Sequence, residues 1–97
     1  MSTYALSPEA EEDLDEIWGY VYDQNNFVER ADAAIRKLYA AFAELAAMPS
    51  MGRHPDKYGP GTYIFPKGSY LIVFRPTEDG VEIVRVTGAD PDLVDGW

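Results

Sequence analysis

The stretch SYLIVFRPTEDGVEIVRV, Ser69 to Val86, decides the fold. Its two ends, SYLIVFR (Ser69 to Arg75) and VEIVRV (Val81 to Val86), are rich in β-branched and aromatic residues. PTEDG separates them, and its Asp79-Gly80 pair is turn chemistry. TYIF (Thr62 to Phe65) is a third run of this kind, set off by PKG. The middle run is apolar at consecutive positions, so one face of its sheet is expected to hold the helices and the other to be at least partly covered.

Upstream of this region the period changes from 2 to 3.6. Ala10, Leu14, Ile17, Trp18 and Val21 form one helical stripe, entered through Ser7 as N-cap and Pro8 at the first helical position, and ending near DQNN. Ala31, Ala34, Ile35, Leu38, Phe42 and Leu45 form a second stripe, from about Phe27 to Ala47. The short break at Asp23 to Asn26 predicts an antiparallel hairpin, and Pro49 ends the second helix. TYALS (Thr3 to Ser7) alternates like a short strand. The expected order is β-α-α-β-β-β: an α+β domain over residues 1–97, with a helical hairpin packed on a three-stranded antiparallel meander.

Composition narrows the function. With 17 acidic and 8 basic residues the formal charge is −9, which opposes a broad nucleic-acid footprint. The absence of cysteine excludes thiolate catalysis and Cys-ligated metals. No stretch reaches the length of a membrane span, and MSTYALSPEAEED has neither a basic start nor an apolar run, so a cytoplasmic location is expected.

The candidate chemistry is sparse. Glu9, Glu11, Glu12, Asp13, Asp15 and Glu16 crowd the start of the first helix. Pairs such as Glu12 and Glu16 could suggest a metal or acid/base site, but acids at the positive end of a helix dipole on a solvated face explain them better. His54 stands in the loop MGRHPDKYG with Arg53, Asp56, Lys57 and Tyr58, a set that could serve phosphodiester cleavage, although a lone loop histidine is ordinarily surface. In a two-residue period Arg75 shares a face with Leu71 and Val73, and Arg85 with Val81 and Ile83. If both groups belong to one face, the guanidiniums interrupt an apolar surface. They either pair with acids such as Glu82, Asp90 or Asp92 or recognise a partner's carboxylates or phosphates. Trp18, Tyr22 and Tyr39 decorate the helical hairpin as core or as anchors for another chain; the balance favours core for Trp18 and is even for Tyr22.

Together, YALSPEAEEDLDEIWGYV, Phe42 to Arg53 with its PSMGR, FPKGSYLIVFRPTEDGVEIVRV and a terminal DL resemble, in order, the ParE branch of the RelE/ParE superfamily. The resemblance implies a toxin of a type II toxin–antitoxin module with the β-α-α-β-β-β fold. It implies a ParD-like antitoxin partner, expected in a heterotetramer or larger assembly, with DNA gyrase as the target, no cofactor and no metal. Trp18, Tyr22, Tyr39, Arg53, Arg75 and Arg85 are the expected partner-binding residues, and no catalytic residue is expected. RelE-like relatives cut messenger RNA with basic side chains and a C-terminal tyrosine. Here the position of a strand arginine resembles Leu71, and Thr87 to Trp97 holds no basic residue and no tyrosine. The chain also departs from the ParE pattern. Tyr63 stands where many members have an arginine, and Gly88 and Pro91 stand where a histidine and an arginine are usual. Two alternatives therefore stay open: an antitoxin-binding protein with a lost or altered target, and a ribosome-dependent nuclease built on His54. An acidic toxin is further expected to prefer an antitoxin tail with basic residues.

Overall fold

The computed structural model describes residues 3–54 and 60–88. Strand β1 (Thr3–Leu6) leads into helix α1 (Pro8–Asn25) and helix α2 (Val28–Ala47). A single 3-10 turn follows at Pro49–Met51, then β2 (Tyr63–Lys67), β3 (Tyr70–Pro76) and β4 (Gly80–Gly88). The expected α+β order is found. The three later strands form the antiparallel meander, and β1 adds to it in parallel with β4, giving a four-stranded mixed sheet of order β1-β4-β3-β2.

Local chemistry sets the helix boundaries. Ser7 caps α1, its Oγ accepting from the Ala10 N–H at 3.0 Å while donating to the Val84 carbonyl at 2.7 Å. One buried hydroxyl thus starts the helix and ties it to β4. At the other end Asn26 takes the left-handed conformation (φ 58°) and sends its N–H to the Tyr22 carbonyl. Only Asn26 and Phe27 separate the helices, so α2 must run back antiparallel. Ser7→Ala is expected to cost about 1–2 kcal/mol, because it removes the cap and leaves a β4 carbonyl without its donor. Urea unfolding measures this cost, and a midpoint within error of the parent would refute the double role.

Several strand ends differ from the sequence reading: β4 runs on to Gly88, past the expected end at Val86, and two other differences have a physical reason. β2 continues through Pro66 to Lys67, where a turn was expected. Proline is tolerated there because β2 is the outer strand of the described sheet, bridged on its far side at Ile64 by Arg53 but by no paired strand at Pro66. Gly80, expected within the turn, instead opens β4 and pairs with Thr3.

The main core lies between the helices and one sheet face. Leu14, Ile17, Leu38, Phe42 and Leu45 pack with Ile72, Phe74, Ile83 and Val86. Each such side chain contributes about 1.5–3 kcal/mol on burial. The opposite face holds a smaller buried cluster, Ile64, Leu71 and Val73, with Val84 against it, so the second face of β3 is partly covered, as expected. The PSMGR turn is fitted to this sheet. A Cβ on Gly52 would stand 2.3 Å from the Phe74 ring, and Arg53 exchanges both backbone hydrogen bonds with Ile64 (2.8 and 2.7 Å).

Candidate partner-binding surface

The exposed large apolar side chains of the described residues are Tyr20, Tyr22, Phe27, Val28, Tyr39 and Met48. All belong to the helical hairpin or its ends; none is on a strand. Burying apolar surface is the main gain in association, so these exposed side chains of the hairpin are candidates for cover by another chain.

Trp18 sits within this surface rather than in the core expected of it. It is partly exposed and outside both buried clusters, it stacks on Tyr22 (centroids 5.4 Å apart, 7° between planes), and its Nε1–H donates to Asp32 Oδ1 at 2.9 Å. The i, i+4 spacing that puts Trp18 over Tyr22 also takes both to the flank of the stripe, where the indole N–H can reach α2. Tyr39 is 38% exposed and touches both Tyr4 of β1 and Phe42, so its inner edge is packed and its outer edge free for a partner.

The two sheet arginines occupy different settings. Leu71 and Val73 belong to the outer cluster and Val81 and Ile83 to the main core, so the two apolar groups considered beside Arg75 and Arg85 do not share a face. An irregularity between Val73 and Phe74 shifts the register, setting Val73 opposite Arg85 but Phe74 opposite Ile83. Arg75 Nη2 donates to its cross-strand neighbour Glu82 at 2.7 Å, one of the acids anticipated for it.

Arg85 pairs with Asp13, an acid that the sequence reading left on the solvated helix face. Arg85 Nε and Nη2 donate to the two Asp13 oxygens at 2.8 and 3.0 Å, and the Val86 N–H donates to Oδ2 at 2.9 Å. β1 pairs with β4 only as far as Ile83, so this carboxylate accepts from the β4 edge just past the strand that would otherwise cover it. Burial pushes the Asp13 carboxyl up, but the Arg85 and Val86 hydrogen bonds and the guanidinium charge outweigh it and hold the group below its ordinary value. Conversely, the bond and charge of Asp13 raise Arg85. Asp13 completes the sequence Ala10, Asp13, Leu14, Ile17, a helical i, i+3, i+4, i+7 stripe. A charge at an inward position of that stripe is the signal that could have found the pair.

His54 is exposed, its Nδ1 lies 2.6 Å from the Thr62 carbonyl, and its ring packs against Tyr63. These contacts give it a role in holding the loop to β2. Asp56, Lys57 and Tyr58, considered beside it, lie outside the described residues, as do Asp90, Pro91 and Asp92. Leu71, which resembles in position the strand arginine of the nucleases considered above, is 1% exposed within the outer cluster.

The family model for the ParE toxin of type II toxin–antitoxin systems, parDE, matches residues 4–91. The chain belongs to the ParE toxin family. Toxin ParE1 of Mycobacterium tuberculosis is 38% identical to it over 86 residues, 88% of this chain and 87% of that one. Toxin ParE1 of Caulobacter vibrioides is 36% identical over 86 residues, covering 89% and 88%. Among solved structures, the chromosomal ParDE system of P. aeruginosa superposes with a TM-score of 0.73 at 20% identity, covering 93% of this chain and 98% of that one. The RelBE2 toxin–antitoxin complex of Mycobacterium tuberculosis follows with 0.64 at 23%, covering 91% and 98%. At these identities the superpositions establish that this ParE family member shares their fold.

Proposed function

We propose that this ParE family member is the toxin subunit of a type II module, that a cognate ParD-like antitoxin holds it in a heterotetramer or larger cytoplasmic assembly, and that it acts by engaging DNA gyrase without being an enzyme. The observation that carries the antitoxin reading is that, among the described residues, the exposed large apolar side chains all lie on the helical hairpin or its ends. The gyrase target rests on family membership. The buried Leu71 and the His54 contact to Thr62 favour it over RNA cleavage, because neither residue offers a positioned cation to a phosphorane.

Expression without antitoxin is expected to arrest growth, coexpression with the small protein encoded beside the gene to restore it, and the purified chain to inhibit supercoiling or accumulate cleaved DNA. Growth arrest with gyrase unaffected would refute the target; failure of the two proteins to copurify would refute the antitoxin. Tyr22→Ala is expected to weaken antitoxin binding at least tenfold with little change in melting temperature, since its ring is a stacked, half-exposed anchor. Titration calorimetry beside a thermal melt separates the two effects.

The replacements at Gly88 and Pro91 favour a second reading, in which antitoxin binding persists while the target has changed. Restoring Gly88→His and Pro91→Arg should then raise toxicity, and unchanged harmlessness would reject those positions as the cause. Tyr63 is a poorer site for restoration, because its ring stacks on buried Phe74.

A further inference from the structure

A groove of about 420 Å3 runs between the turn end of the helical hairpin and the β2–β3 turn. Buried Leu38 and half-buried Val21 and Ala34 give it apolar walls, and Arg30, Lys37 and Lys67 add three cations. None of its lining residues is a carboxylate, although the chain has 17 acids against 8 bases. Among the described residues these three cations make no side-chain ion pair or hydrogen bond, whereas Arg75 and Arg85 are both engaged by acids. Arg30 and Lys37, seven residues apart on α2, lie on one side of that helix, and Lys67 approaches from the end of β2.

We infer that this groove receives an acidic segment of the antitoxin whose apolar side chains enter between the cations; the inference rests on the antitoxin reading above. The combination of charge and apolar wall selects the occupant. A phosphodiester backbone would use the cations but leave Val21, Ala34 and Leu38 uncovered, and the chain's overall charge repels a long polyanion. A peptide with carboxylates flanking Leu- or Val-like side chains satisfies both. The local field therefore reverses the expectation drawn from net charge, that the antitoxin tail would be basic.

The test uses the full chain and the antitoxin encoded beside its gene. The Lys37→Glu/Lys67→Glu variant is expected to weaken binding at least a hundredfold, Lys37→Gln/Lys67→Gln to weaken it less, and the parent's affinity to fall with added salt. Arg36→Glu, half the charge change of the double Glu variant at an exposed position outside the groove, should stay within threefold. Melting temperatures confirm that each variant is folded. If the parent binds antitoxin and the double Glu variant binds within threefold of it, the groove assignment is overturned while the antitoxin reading stands. If the parent binds no antitoxin, that reading fails, and the groove is then read with a labelled peptide of alternating Asp and Leu and its Lys/Leu counterpart. Binding of the acidic peptide alone, lost in the double Glu variant, upholds the groove's preference. Binding of neither, or preference for the basic peptide, overturns it.

Discussion

Gly80→Ala is expected to destabilise the protein by at least about 3 kcal/mol, at the upper end of overpacking costs. A Cβ at this position would stand 1.7 Å from the Thr3 carbonyl oxygen and 2.8 Å from its carbonyl carbon and amide nitrogen. These are backbone atoms of the paired strand, so no side-chain rotation relieves the clash. β1 must shift, and with it Tyr4, which packs on Phe42, and the Thr3 N–H bond to Asp79. For a domain of this size the corresponding fall in melting temperature is on the order of 12 °C or more. Gly19→Ala provides the opposite sign. Its Cβ meets nothing within 4 Å, so the helix gains up to about 1 kcal/mol from the lost backbone entropy of the unfolded chain. Equal effects of the two substitutions in a thermal melt would refute the steric account.

Asp13→Ala is expected to cost about 2–3 kcal/mol at neutral pH. It removes the acceptor of three hydrogen bonds and leaves the Val86 N–H without a partner beside the core. Arg85 is half exposed, so water recovers part of its charge and keeps the cost below that of a fully buried pair. The sign with pH follows from linkage. The folded-state value of Asp13 is lowered, so its stabilisation is fully present above the ordinary carboxylate value of about 4 and is lost as pH falls through the lower folded value. The gap between parent and Asp13→Ala in urea unfolding should be constant from neutrality down to about pH 5 and close in more acid solution. A gap that stays open there would show the cost to be packing, not charge.

The sequence made the element order legible because each signal is local. Ser7-Pro8 opens a helix, the stripes repeat at 3.6, and SYLIVFR and VEIVRV are hairpin strands whichever neighbour they find. What escaped reading depends on distance along the chain. The parallel docking of β1 on β4 makes Gly80 a contact position instead of a turn residue. Asp13 was hidden among five other acids, and only its register with Ala10 and Leu14 separates it from them. Trp18 carries the apolar signal of a core residue, yet its indole N–H found Asp32 at the helix flank. The groove cations come from α2 and from the end of β2, so no window of sequence holds them together. The family, by contrast, is carried by motifs spread over most of the chain, and the match over residues 4–91 reflects that.

The pairing of the first strand with the last has a consequence during synthesis. Ser7 and Val84, hydrogen-bonded in the finished protein, are 77 residues apart, and among the described residues β1 finds its only sheet neighbour in β4. While the chain is still emerging from the ribosome, the helical hairpin can form but the sheet cannot accept β1, because its partner has not been made. A nascent chain halted at Pro76 lacks the strand against which β1 docks and the backbone amide that Asp13 binds. The order of translation therefore acts as a timer: β1 docks only after β4 has been made.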